Sequence, residues 1–77
     1  MKVIIWSKPA CPQCDQAKHL LSAAGYDIDE RKIGTGEWTR EKLLELVPGA
    51  KSVPQIFFGD MHIGGLTELK QKLTGVK

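Results

Sequence analysis

The residues best suited to chemistry are Cys11 and Cys14, the only cysteines, in the stretch Cys11-Pro12-Gln13-Cys14. Three residues apart at the start of a helix, two Cα atoms lie within the roughly 4.4–6.8 Å that a disulfide accepts. A bond between them can open and close with little backbone movement. A bridge across two intervening residues also removes little entropy from the unfolded chain, so the pair is a poor staple and a good reactive couple. The attacking species in disulfide chemistry is a thiolate, which a helix N-terminus and a nearby cation both favour. Lys8 and the helix start at Pro12 are placed to favour it at Cys11.

Holding such a pair takes a strand that ends before it and a helix that begins at it. Val3-Ile4-Ile5-Trp6 is a short apolar run of β-branched and aromatic residues, the pattern of a strand buried on both faces, and Ser7-Lys8-Pro9 ends it. Pro12 suits a first helical turn, where its missing N–H costs nothing. Cys14, Ala17, Leu21 and Ala24 then recur on one stripe with Leu20 beside it, and Gly25 is the expected stop. On this pattern Cys14 is the sheltered thiol and Cys11 the exposed one.

Tyr26 to Ile33 alternates in part and is dense in charge, which predicts an edge strand. After Gly34-Thr35-Gly36, the spacing of Thr39, Leu43, Leu46 and Val47 predicts a second helix of about three turns, ended by Pro48-Gly49. Gln55-Ile56-Phe57-Phe58 and Met61-His62-Ile63 flank Gly59-Asp60 as a hairpin. Gly64-Gly65 leads into a last helix carrying Leu66, Leu69 and Leu73 on one face and ending near Gly75. The order β-α-β-α-β-β-α predicts an α/β fold: a parallel right-handed crossover plus a hairpin, giving a four-stranded mixed sheet flanked by three helices.

The 77 residues suffice for one domain, 1–77, with a small core. Hydrophobic residues make up 42% and charged residues 26%, as in ordinary globular domains, and a net charge of +2 is too small to imply nucleic acid. The apolar run at the N-terminus is too short for a signal peptide, and no stretch is long enough to span a bilayer. A C-x-x-C without an export signal points to redox or metal chemistry in a reducing compartment, so the cytoplasm is the expected location and a monomer the expected state. His19 and His62 have no spacing that would complete a metal site around the cysteines, and both are expected at the surface or in structural roles. Lys18 is expected as a surface charge one turn after Cys14, and Asp15 as a favourable charge at the helix start. Trp38 reads as a partner contact or a packing residue at the second helix.

Three ordered motifs carry a family resemblance across essentially the whole chain. They are Ser7-Lys8-Pro9 before Cys11-Pro12-Gln13-Cys14, then Ser52-Val53-Pro54-Gln55-Ile56-Phe57, then His62-Ile63-Gly64-Gly65. With them the chain resembles a dithiol glutaredoxin, a minimal thioredoxin fold. The resemblance implies an enzyme that reduces protein disulfides or glutathione mixed disulfides, with glutathione as reducing cosubstrate and no bound cofactor. Cys11 would be the nucleophile and Cys14 the resolving thiol. It further implies a cis bond before Pro54, backbone pairing of Val53 with the cysteinyl part of glutathione, and capture of the γ-glutamyl end at Gly65, Leu66 and Thr67. Lys8 would meet the glycyl carboxylate, and Gln13 flanks the tripeptide where relatives often carry Tyr. Trp6 and Leu66 also differ from common family choices, Tyr for the first and Cys or Phe for the second.

Two alternatives stand beside this. Gln13 is similar to the Cys-Val-Gln-Cys of redoxins that serve ribonucleotide reductase and are recharged by thioredoxin reductase, although Ile63-Gly64-Gly65-Leu66 looks like a glutathione-binding turn. Ribonucleotide reductase is also a family-level expectation as a protein substrate for small glutaredoxins. The second alternative is a non-catalytic metal or iron–sulfur carrier, against which Pro12 and the second cysteine argue.

Overall fold

A computed structural model describes residues 2–74. The elements run β1 (Lys2–Ser7), α1 (Pro12–Ala23), β2 (Asp27–Lys32), α2 (Arg40–Leu46), β3 (Gln55–Phe58), β4 (Met61–Gly64) and α3 (Leu66–Thr74). The strands form one sheet in the order β2-β1-β3-β4. β1 pairs parallel with β2 and antiparallel with β3, which pairs antiparallel with β4. This is the four-stranded mixed sheet with three helices of a minimal thioredoxin fold.

The side chains of β1 divide the core. Val3 and Ile5 enter a fully buried cluster with Ala17, Leu21, Ile56 and Leu69, so α1 and α3 cover that face. Trp6 points the other way, into a cluster with Leu43 and Phe57 beneath α2, where Trp38 meets it edge-on at 5.5 Å between ring centroids. Trp38 is thus a packing residue. Because β1 is central and covered on both faces, it reads as a continuous apolar run, whereas the charged β2 lies at the edge as expected.

Two local expectations are corrected, and the predicted hairpin carries a bulge. α2 is seven residues long rather than about three turns, with Thr39 as its cap: the Thr39 Oγ1 accepts the Lys42 N–H at 3.1 Å. Val47 has already left helical geometry, and Leu46 is 55% exposed, so only Leu43 of the expected stripe is buried. Ala24 is exposed, because it forms the C-cap of α1 instead of continuing the stripe; the chain turns at Gly25 with φ +86°. In the hairpin, Phe57 opposes His62 while Ile56 opposes Gly64, which leaves Ile63 as an extra residue on β4. This bulge bends the strand just before the Gly64-Gly65 turn into α3. The expected helix stop at Gly75 lies outside the described residues.

Leu21 packs at full burial between α1 and the sheet. Leu21→Ala is expected to lower the unfolding free energy by about 3 kcal/mol, a large part of the total for a domain of this size. A fall in the urea midpoint at unchanged slope checks it.

Candidate active site

The redox pair sits where β1 gives way to α1. Ala10, immediately before Cys11, takes φ +55°, a left-handed conformation that costs a non-glycine residue about 1 kcal/mol. The kink delivers Cys11 as the N-cap of α1, with Pro12 at the first helical position. The Cys11 Sγ accepts the backbone N–H of Cys14 at 3.2 Å, and the two cysteines form a disulfide with Cα atoms 5.2 Å apart. The structure is therefore that of the oxidised form. When the bond is reduced, the same N–H and the positive end of the helix favour a thiolate at Cys11.

Cys11 is not the freely exposed thiol that the helical pattern predicts. It is 7% exposed and Cys14 1%. The order of accessibility is as expected; the degree is lower because the Cys11 sulfur turns inward to cap the helix and bond its partner.

A polar network anchors the helix beside this pair. Ser7, fully buried at the end of β1, donates its hydroxyl to the Glu30 Oε2 at 2.7 Å. Lys18 of α1 donates to the same oxygen at 2.9 Å and lies 3.4 Å from Asp15. Burial works against a charged Glu30, but the hydrogen bonds from Lys18 and Ser7 and the charges of Lys18 and Lys32 outweigh it and hold the carboxyl below its ordinary range. Lys18 is raised in turn, chiefly by its hydrogen bond to Glu30. The sequence places Lys18 as a plain surface charge; its link to Glu30 crosses from helix to edge strand and leaves no local signal.

The remaining candidates fall around two cavities that share Ser52 and Val53. The larger, about 460 Å³, is lined by Gln13, Pro54, Gln55, Gly65, Leu66, Thr67 and Glu68, among others. It gathers five of the predicted residues besides Val53. The Val53–Pro54 peptide is cis, as the family pattern implies. Val53 belongs to no strand, and among the described residues no hydrogen bond uses its N–H or C=O. Lys8 is brought elsewhere: it lines the second cavity, about 140 Å³, with Arg40, Lys51, Ile33, Leu43, Leu44 and Ala50.

Two features of the larger groove escape sequence reading. The Gly65 N–H donates to the Glu68 Oε1 at 2.9 Å, and this bond, with one from the Glu68 backbone, holds that carboxyl below its ordinary range. An acidic residue three positions after a helix entrance is the only available signal. A Cβ at Gly64 would come within 2.8 Å of the Glu68 side chain, and Gly64 also needs its φ of +114°. Gln55 donates to the Ser52 carbonyl at 2.9 Å, and its Oε1 lies 2.7 Å from the His62 Nε2, so His62 must supply the proton there. His62 thus ties the hairpin to the loop before Pro54. His19 is exposed on α1. Among the described residues no group of three or more His, Cys, Asp or Glu side chains could hold a metal ion, and no helix is long and apolar enough to cross a membrane.

The family model for glutaredoxin matches residues 3–63. A glutaredoxin of Neisseria meningitidis serogroup A is 43% identical over 68 residues, covering 87% of this chain and 79% of its own. Glutaredoxin 1 from Francisella tularensis, solved with cacodylate, superposes with a TM-score of 0.78 at 34% identity, covering 97% of this chain and 94% of its own. A buckwheat glutaredoxin–glutathione complex superposes with a TM-score of 0.79 at 25% identity, covering 95% of this chain and 69% of its own.

The Glu30 network sets a pH dependence. A carboxyl depressed in the folded state contributes stability above its unfolded pKa of about 4.3 and loses it as pH falls through the folded value. The raised Lys18 contributes below about 10.4 and loses its share as pH rises past that. Glu30→Gln is expected to lower stability by about 1 kcal/mol near neutral pH and to flatten the acid decline between about pH 5 and 3. Urea denaturation of both proteins across that range checks it.

Proposed function

The chain belongs to the glutaredoxin family and is a thiol–disulfide oxidoreductase, and from that premise we propose that it draws its electrons from glutathione to reduce protein disulfides and glutathione mixed disulfides. The observation that carries this reading is the backbone of Val53, which lies between two cavities and has no hydrogen-bond partner among the described residues. A free N–H and C=O at that point offer two hydrogen bonds to an extended peptide.

Glutathione fits this setting from one end to the other. Its cysteinyl residue pairs with Val53 and presents sulfur to Cys11. The γ-glutamyl end enters the groove at Gly65, Leu66 and Thr67, where the Leu66 and Thr67 N–H groups at the start of α3 suit its carboxylate while Glu68 holds the Gly65 N–H. Its ammonium group then faces the Glu68 carboxylate. The glycyl carboxylate reaches Lys8 in the second cavity, and Gln13 borders the groove with an amide instead of an aromatic ring.

In the dithiol reaction, the Cys11 thiolate attacks one sulfur of a substrate disulfide, forming a mixed disulfide and releasing the other sulfur as a thiolate. Cys14, three residues away, then attacks the Cys11 sulfur and displaces the second substrate thiolate, closing the Cys11–Cys14 bond. Proximity makes this step intramolecular. One glutathione thiolate reopens the bond at the more accessible Cys11, and a second removes the first as glutathione disulfide. Each cycle moves two electrons from two glutathiones to one substrate disulfide. The whole of 1–77 acts as one domain in this reading, as a monomer in the cytoplasm, and ribonucleotide reductase is a candidate protein substrate.

Cys11→Ser is expected to abolish glutathione-coupled reduction of a small mixed disulfide, while Cys14→Ser retains part of it, because glutathione can resolve Cys11 from outside. Turnover with glutathione plus glutathione reductase, compared with turnover on thioredoxin reductase, tests the electron source. Activity in the second system alone would transfer the protein to the redoxin reading.

A further inference from the structure

The second cavity combines an apolar wall with a cluster of cations. Its wall includes the buried Leu43 with Leu44 and Ile33, and Lys8, Arg40 and Lys51 stand exposed around it. Among the described residues no carboxylate lines it. Among the described residues none of these three cations forms an ion pair, whereas Lys18, Arg31 and Lys42 each have an acidic partner. A terminal glycyl group has no side chain to lay on an apolar floor, and one carboxylate does not neutralise three cations.

We propose that this cavity is a docking pocket for protein substrates in which the reacting cysteine is followed by an aliphatic and then an acidic residue. The inference rests on the glutathione orientation above, in which the chain leaving the cysteinyl residue toward its C-terminus heads from Val53 toward Lys8. A protein segment pairing with Val53 in the same sense places the residue after its cysteine over Leu43 and Leu44. The following side chain then comes among Lys8, Arg40 and Lys51. Apolar burial favours the first contact and opposite charge, strongest at low salt, the second. Nothing comparable stands on the other side of Val53, where Glu68 adds negative charge to the groove. An acidic segment is therefore directed to one end only.

The test uses pre-reduced protein in a single turnover and needs no glutathione. Two symmetrical disulfide-linked peptides serve as probes, one with Leu-Glu after the cysteine and one with Gly-Lys. Each reaction converts the protein dithiol to its disulfide and the peptide disulfide to two thiols, which chromatography counts. The Leu-Glu peptide is expected to react about tenfold faster at low salt, with the ratio shrinking toward the apolar part alone at high salt. The double variant Arg40→Glu, Lys51→Glu is expected to remove or invert the preference. Ratios are compared within each protein, so general loss of activity cancels. A ratio within twofold in the unmodified protein, or one that the double variant leaves unchanged, overturns the pocket. Absence of glutathione-coupled turnover in a separate assay would instead overturn the glutathione reading and leave this ratio to be judged on its own.

Discussion

The structure depends on one hydrogen bond, from the backbone N–H of Cys14 to the sulfur of Cys11. It makes Cys11, the proposed nucleophile, a helix cap, a place normally taken by an oxygen-bearing side chain. A sulfur at that position closes the first turn of the helix, and once the disulfide is reduced the same N–H stabilises a negative charge on it. Reactivity and local stability are thus coupled in a single contact. Ala10 tolerates a left-handed conformation and Pro12 supplies the first helical residue, and the two together fix where that cap can sit.

The helix must in turn be fixed against the sheet, and two different forces do this. On one side Ala17 and Leu21 pack against Val3, Ile5 and Ile56 with no room for movement. On the other, Lys18 reaches the Glu30 carboxylate that Ser7 already holds, so the end of β1, the edge of β2 and the second turn of α1 share one oxygen atom. Burial alone would penalise a charge at Glu30. Two donors on the same oxygen turn that penalty into a positional constraint.

Sequence reading recovers whatever a local rule controls. The run Val3 to Trp6, the stripe Cys14-Ala17-Leu21, the stop at Gly25 and the hairpin around Gly59-Asp60 are each set by periodicity or turn chemistry, whereas the place of β1 between β2 and β3 rests on pairing between distant segments that no local rule shows. The expectation of a longer α2 fails because Val47 matches a helical period by composition although the chain leaves the helix after Leu46. The grouping of Gln13, Pro54, Gly65, Leu66 and Thr67 around one groove was legible through the family motifs. The bonds that complete the site were not: Lys18 to Glu30, Gln55 to Ser52 and His62, and the meeting of Lys8, Arg40 and Lys51 all join residues from different elements. The inward turn of Cys11 was missed for a related reason, since a helical stripe describes side-chain direction but not which sulfur caps the helix.

The charges around Val53 have a direction. Glu68 stands beside the first turn of α3 on one side, and three cations with no acidic partner among the described residues stand on the other. An extended chain pairing with the Val53 backbone alone could run either way, because one N–H and one C=O are nearly symmetrical partners. Adding a carboxylate at one end and cations at the other breaks that symmetry. A substrate with its positive group toward Glu68 and its negative group toward Lys8 is favoured over the same substrate reversed by both contacts at once, and reversal makes both repulsive. In the proposed binding mode the Val53 peptide group supplies the pairing, and the flanking charges decide which way the substrate lies and so on which side of the attacked sulfur its remaining residues fall.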